Sequence, residues 1–188
     1  MKYELYDFDK TIYPHDSGTK FYLFCLKRHP SLLKFLPKQI FSAALFLMKK
    51  KTLTQFKGDF FCFVKGIDAG AEAEKFWEKN EDKVFGYIKE RDKSLGMVVC
   101  SASPEFEIRP ILEKLGADVI IGSAADEKTG RFLGENCKGK EKVRRIKEAL
   151  PDAEFVNAYT DNPTSDGPLL SLAENRYQIK NGEKIKLN

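Results

Sequence analysis

Tyr3-Glu4-Leu5-Tyr6-Asp7-Phe8-Asp9-Lys10-Thr11 decides how the rest of the chain is read. Residues 3–6 suit a short strand, and Asp7 and Asp9 follow at its exit. Side chains alternate faces along a strand, so both carboxylates lie on the same side, where their charges repel. Asp and Thr are also common turn formers, so a solvated acidic loop would use the same residues. Crowded acids persist most easily where a cation or a phosphate chemistry needs them. The choice between the two rests on segments far downstream.

With 188 residues, 42% hydrophobic and 32% charged, the chain has the composition of a soluble globular protein. Its length suits one core, or one core with an insertion. Cys25, Cys62, Cys100 and Cys137 are scattered without a Cys-x-x-Cys spacing, which suggests neither a disulfide framework nor a zinc site. Glu4 and Asp7 stand where an export leader would be basic and then apolar, so a cytoplasmic location is expected. The apolar run Ile40 to Met48 is less than half of the ~20 residues that span a bilayer, and no transmembrane segment is expected. Between Ser17 and Gly58 there are nine basic residues and no acid, while the net charge of the whole chain is only +4. Such a field draws anions toward whatever it surrounds, although lysines on solvated helices would produce the same count. Nothing sets the oligomeric state, and a monomer is compatible with the sequence.

Residues from about Thr19 to Asn80 have helical spacing, punctuated by Pro30 and Pro37, with an aromatic cluster at Phe56, Phe60, Phe61 and Phe63. A helix is expected over Glu81 to Arg91, then a buried strand at Met97-Val98-Val99-Cys100. Ser103-Pro104 is expected to open the next helix, as N-cap and first helical residue, and Gly116 to close it. Val119-Ile120-Ile121 reads as a strand, Asp126 to Phe132 as a small hairpin, Glu141 to Leu150 as a helix, and Phe155 to Tyr159 as a strand. Asn181-Gly182 marks a tight terminal hairpin. Strands alternating with helices give an α/β fold with a parallel sheet and right-handed crossovers. The helical stretch falls between the first strand and the rest of that sheet.

In an open parallel sheet, ligands bind off the carboxyl ends of the strands. That edge collects Asp7 and Asp9, then Ser101, then Asp161 with Asp166 five residues later, and a lysine, Lys138 or Lys142. Each group has work to do in phosphoryl transfer. A carboxylate can attack phosphorus and hold the phosphoryl group covalently. A second can protonate the departing oxygen and then take a proton from water. A hydroxyl and backbone amides bind phosphate oxygens, and a lysine offsets negative charge. Clustered carboxylates call for a divalent ion, and an oxygen-only shell favours Mg2+.

Four segments together resemble the haloacid dehalogenase (HAD) superfamily, in its phosphoserine-phosphatase-like branch. Asp7-Phe8-Asp9-Lys10-Thr11 is similar to the first motif, and Ser101-Ala102-Ser103-Pro104 to the second. Asn136-Cys137-Lys138-Gly139-Lys140-Glu141-Lys142-Val143 resembles the third, and Tyr159-Thr160-Asp161 through Asp166 the fourth. The resemblance implies a HAD-like Rossmannoid parallel sheet core over residues 1–15 and 80–188. A helical cap over residues 16–79 would be inserted after the first motif, mobile enough to close over substrate. It implies a Mg2+-dependent phosphatase acting on a small phosphorylated metabolite through an aspartyl-phosphate, with no nucleic-acid partner. Asp7 would be the nucleophile and Asp9 the acid/base. Asp7, the Asp9 carbonyl and Asp161 would hold Mg2+, with Asp166 supporting that shell. Ser101, the Ala102 amide and Lys142 would bind the phosphoryl oxygens, Lys138 being the alternative lysine at i and i+4. The two acids of the fourth motif are five apart, where phosphoserine phosphatases usually have four. Asp16 stands where those enzymes carry a Glu that reads the substrate amine, and the shorter side chain argues against serine phosphate. His15 and Asp16 are candidate specificity residues. Two other functions use the same features: transfer to another alcohol, as in mutases, and a basic module docking on anionic membranes or nucleic acid beside a residual site.

Overall fold

Strand β1 (Lys2–Tyr6) lies at the centre of the sheet, paired in parallel with β2 (Gly96–Pro104) on one side and β4 (Glu154–Thr160) on the other. The computed structural model describes all of residues 1–188. Beyond β2 runs β3 (Val119–Ser123). Beyond β4 run β5 (Ala173–Lys180) and then β6 (Glu183–Lys186), which alone is antiparallel. The order is β3-β2-β1-β4-β5-β6. The chain thus departs from β1 in both directions, the arrangement that opens a crevice at the carboxyl ends of the central strands.

Alternation sorts the side chains of the central strands onto two faces. Leu5, Val98 and Cys100 join one apolar cluster, while Tyr6, Met97 and Val99 join the other and larger one. Glu4 is buried within β1 but fully engaged: Tyr6, Tyr159 and Asn157 donate to it at 2.6, 2.8 and 2.9 Å.

Four longer helices lie between β1 and β2: α1 (Ser17–Arg28), α2 (Leu36–Leu47), α3 (Leu53–Phe60) and α4 (Ala69–Glu78). Asp16, Thr52 and Asp68 cap the first, third and fourth through their side chains, and Thr52 with Gln55 forms a reciprocal capping box. The outer members α1 and α4 are locked into the larger cluster, where Phe8, Tyr13, Phe76 and Trp77 meet edge to face. The Trp77 indole also donates to the Glu107 carbonyl at 2.6 Å. Helices α2 and α3 lie further out; α3 has no buried residue and α2 only two.

Three expected elements take a different form. In place of a helix over Glu81–Arg91 there is a 3-10 turn at Glu81–Lys83 and a single helical turn α5 (Gly86–Lys89). Between them Phe85 is extended, because its N–H reaches the Ile12 carbonyl at 3.0 Å. Ser103-Pro104 does not open a helix: β2 continues through both residues, and α6 (Glu105–Lys114) begins after them. Asp126–Phe132 is a turn with a single bridge, Ala125 to Phe132. The next helix, α7 (Lys140–Ala149), is followed by a short one, α8 (Gly167–Leu170). The terminal hairpin forms around Asn181 and Gly182, both at positive φ, as a two-residue turn of that sequence requires.

Candidate active site

The β1–β4 ladder extends one residue past β1, the Asp7 N–H donating to the Tyr159 carbonyl at 2.9 Å. The chain then winds sharply: the N–H groups of Thr11, Ile12 and Tyr13 all converge on the Phe8 carbonyl. Lys10 adopts a left-handed φ of 57° within this turn. The buried Thr11 hydroxyl accepts from the Asp161 N–H at 2.8 Å, which ties the first acidic segment to the one after β4.

Alternation places Asp7 on the same face as Leu5, the face that α7 covers. On α7, Lys142 is one turn before the core residue Ile146, so its side chain points inward too. The result is a buried ion pair. Lys142 Nζ lies 2.6 Å from Asp7 Oδ1 and 3.1 Å from Asp166 Oδ2, and the Thr160 hydroxyl donates to that same Asp166 oxygen at 2.8 Å. Burial works against the Lys142 ammonium, but the two carboxylates outweigh it and its pKa is raised. Burial pushes the Asp7 carboxyl up, and the Lys142 ammonium pulls it down. Lys138 lines the same cleft but precedes α7 in the turn at Gly139, so the two lysines do not share a helix face.

Asp9 faces a different set of donors. The Ser17 N–H and the Ser103 hydroxyl each donate to it at 2.9 Å, one per oxygen, and the two serine hydroxyls lie 3.1 Å apart. Burial raises its pKa to about 6, against the lowering effect of Ser17. A carboxyl near 6 can be either acid or base close to neutrality.

Where β2 ends, its register against β3 shifts between Cys100 and Pro104, and this irregular stretch carries Ser101, Ala102 and Ser103. Ser101 is buried and accepts from the Ser103 N–H at 3.1 Å. The Ala102 carbonyl accepts from Ser123 and from Lys57, each at 2.9 Å. Lys57 comes from α3, so the helical segment places a cation directly over this edge.

These groups line one cleft of about 270 Å3: Asp7, Asp9, Ser101, Ala102, Lys142, Asp161 and Asp166 all border it. Asp16 stands at the rim while its side chain caps α1. His15 does not border it; it is exposed, with its ring edge-on to Tyr13 at 5.5 Å. A larger hollow of about 870 Å3, between α3 and the 126–133 turn, contains none of these acids.

Lys57, Asn136, Ser17 and Ser103 are contributors that the spacing of acids does not reveal. Asn136 is the most telling, since its buried Nδ2 donor has no partner and it borders the cleft. An unmatched buried donor is costly unless an acceptor arrives. Its place inside the third motif was the available signal. Lys57 carried none, because nothing distinguishes it from the other lysines of its segment.

The donors open to a cation are all oxygen. Asp7 keeps Oδ2 free of Lys142, the Asp161 carboxylate accepts no hydrogen bond, and the Asp9 carbonyl is engaged by none of the backbone hydrogen bonds. No His or Cys borders the cleft. That chemistry suits a hard divalent ion and not zinc. No three acidic, His or Cys side chains form a ready cage. This follows when one donor is a main-chain carbonyl and Asp166 is turned onto Lys142.

Comparison with known proteins agrees with this architecture. Protein CicA of Caulobacter vibrioides is 31% identical over 199 residues, covering 95% of this chain and 86% of its own length. A Bordetella pertussis protein of unknown function superposes with a TM-score of 0.73 at 18% identity, over 93% of this chain and 88% of that one. A phosphoserine phosphatase solved as a phospho-aspartyl intermediate analogue superposes with a TM-score of 0.56 at 18% identity, over 94% and 86%. The model of the haloacid dehalogenase-like hydrolase family matches residues 5–171. That span takes in every carboxylate of the cleft, and the chain belongs to the haloacid dehalogenase-like hydrolases.

Proposed function

We infer that the protein is a Mg2+-dependent phosphatase of a small phosphorylated compound, working through a phosphoryl group carried on Asp7. The observation that carries this reading is the clamp of Lys142 on Asp7 and Asp166, with Asp161 and Ser101 bordering the same cleft. The oxygen donors named above fit the ion, which when bound would neutralise charge on the transferring group and on Asp7.

Asp7 attacks phosphorus through one carboxylate oxygen, forming a carboxyl–phosphate bond as the ester oxygen departs. Asp9, protonated in part near neutrality, gives its proton to that oxygen. As a carboxylate it then takes a proton from the water that releases phosphate. The Ser17 N–H and Ser103 hydroxyl fix the Asp9 rotamer for both steps. Ser101, the Ala102 N–H, Lys142 and the free Asn136 amide are the donors for the phosphoryl oxygens. Helices α2 and α3, with Lys57 at the cleft, would form the cap that shuts out bulk water. The phospho-aspartyl analogue described for the similar phosphoserine phosphatase is the same class of intermediate.

Hydrolysis of a chromogenic phosphate ester with Mg2+, in wild type and Asp7→Asn, tests this directly. The substitution should abolish turnover, and retained turnover would refute the mechanism. Adding alcohols as acceptors separates hydrolysis from transfer: release of free phosphate at an unchanged rate is expected.

A further inference from the structure

Helix α2 is built inside out. Of its twelve residues only Gln39 and Ser42 are buried. Both are satisfied by the protein: Gln39 accepts from the Tyr22 hydroxyl at 2.8 Å and donates to the Phe60 carbonyl at 2.7 Å, and Ser42 donates to Asp59 at 2.7 Å. The outward face is apolar instead. Ile40, Phe41 and Leu47 are 60, 65 and 80% exposed, with Leu33 and Met48 beyond either end also more than half exposed. A helix on a water-soluble domain ordinarily turns such a stripe to the core. Exposure of adjoining large apolar side chains marks a surface that something covers.

We propose that this face docks the protein onto an anionic lipid bilayer, with α2 lying in the headgroup plane. Charge chooses this occupant. Lys34, Lys38, Lys49, Lys50 and Lys51 neighbour the apolar residues in the chain, which holds no acid from Ser17 to Gly58. Lys38 and Lys51 share Asp59, leaving Lys34, Lys49 and Lys50 free to meet anions. A second copy across a two-fold axis would set those lysines against themselves. Nucleic acid would use the cations but not the aliphatic stripe. Anionic lipid satisfies both, its headgroups meeting lysines and its acyl boundary meeting Ile40, Phe41 and Leu47. Twelve residues extend only about 18 Å, well short of crossing a ~30 Å hydrocarbon layer, and no helix here is long and apolar enough to cross a membrane. Phe46 of the same helix stacks on Phe56 of α3 at 5.1 Å, and α3 carries Lys57.

Co-sedimentation of the full chain with vesicles of phosphatidylcholine alone, or mixed equally with phosphatidylserine, decides the matter. Wild type should pellet with the mixed vesicles and stay in solution with phosphatidylcholine. The Ile40→Glu/Phe41→Glu/Leu47→Glu variant should lose at least about tenfold in bound fraction, and Leu47→Glu alone should lose less. Their thermal midpoints should match wild type. Lys49→Gln/Lys50→Gln should weaken binding and make it less salt-sensitive. The proposal is overturned if wild type ignores anionic vesicles, or if the triple variant binds them equally. A dimer in sedimentation velocity that the triple variant dissociates would likewise overturn it, assigning the face to a second copy.

Discussion

The cleft and helix α2 break the ordinary burial rule in opposite directions. At the cleft, Asp7, Lys142 and Asp166 are charged groups withdrawn from water; on α2, Ile40, Phe41 and Leu47 are apolar groups left in it. The cleft tolerates its inversion because each charge has a partner inside the fold, at 2.6 and 3.1 Å. The outward face of α2 has no partner within the chain. The inversion at the cleft is thus completed inside the fold, whereas that of α2 points outward to something the chain does not itself contain.

The sharpest way to break this contrast is at Asp7. Asp7→Asn should lower turnover by more than about 10^4-fold, because it removes the attacking group itself. Asp9→Asn should cost about 10^2- to 10^4-fold, the range of a lost proton-transfer group, with substrate affinity much less affected. In stability, the largest effect belongs to Lys142→Met. It leaves Asp7 and Asp166 facing each other in a buried site and should cost about 3–5 kcal/mol in urea unfolding.

Smaller effects sharpen the other side. Gln39→Ala strands the Tyr22 hydroxyl and the Phe60 carbonyl and should cost about 1–3 kcal/mol. Leu47→Gln should change stability by less than about 0.5 kcal/mol. A polar residue of α2 thus matters more than a leucine, the reverse of an ordinary amphipathic helix. Glu72 gives a pH test. It is buried among Arg28, His29 and Lys75. Burial alone would raise its pKa, but these partners depress it to about 2 from an ordinary 4.5. Its stabilisation is therefore complete above pH 4.5 and lost as pH falls toward 2. Chemical unfolding across that window should show Glu72→Gln less acid-sensitive than wild type, by about 1–2 kcal/mol after allowance for its half-exposed partners.

Much of the sheet was legible because parallel strands are short apolar runs, as at Val98-Val99-Cys100, and because the acids follow directly on those runs. Asp7, Asp161 and Ser101 fall at the same edge for that reason alone. The helix boundaries were less legible. The Phe85 bond to Ile12 and the continuation of β2 through Ser103-Pro104 are tertiary facts that local propensity cannot contain. Choosing between Lys142 and Lys138 from the sequence drew on family likeness; the fold favours Lys142 because α7 begins at Lys140 and turns Lys142, with Ile146, inward. Lys57 and the inversion of α2 stayed hidden, since a sequence reveals periodicity but not which face of a helix its neighbours take.

Rapid acid quench of the enzyme turning over a substrate labelled with 32P at phosphorus, followed by peptide mapping, probes the central step most directly. The label should appear in the peptide containing Asp7, be released by hydroxylamine as an acyl phosphate is, and be absent from Asp7→Asn. Label on Ser101, or no covalent label in an enzyme that is turning over, would contradict the account.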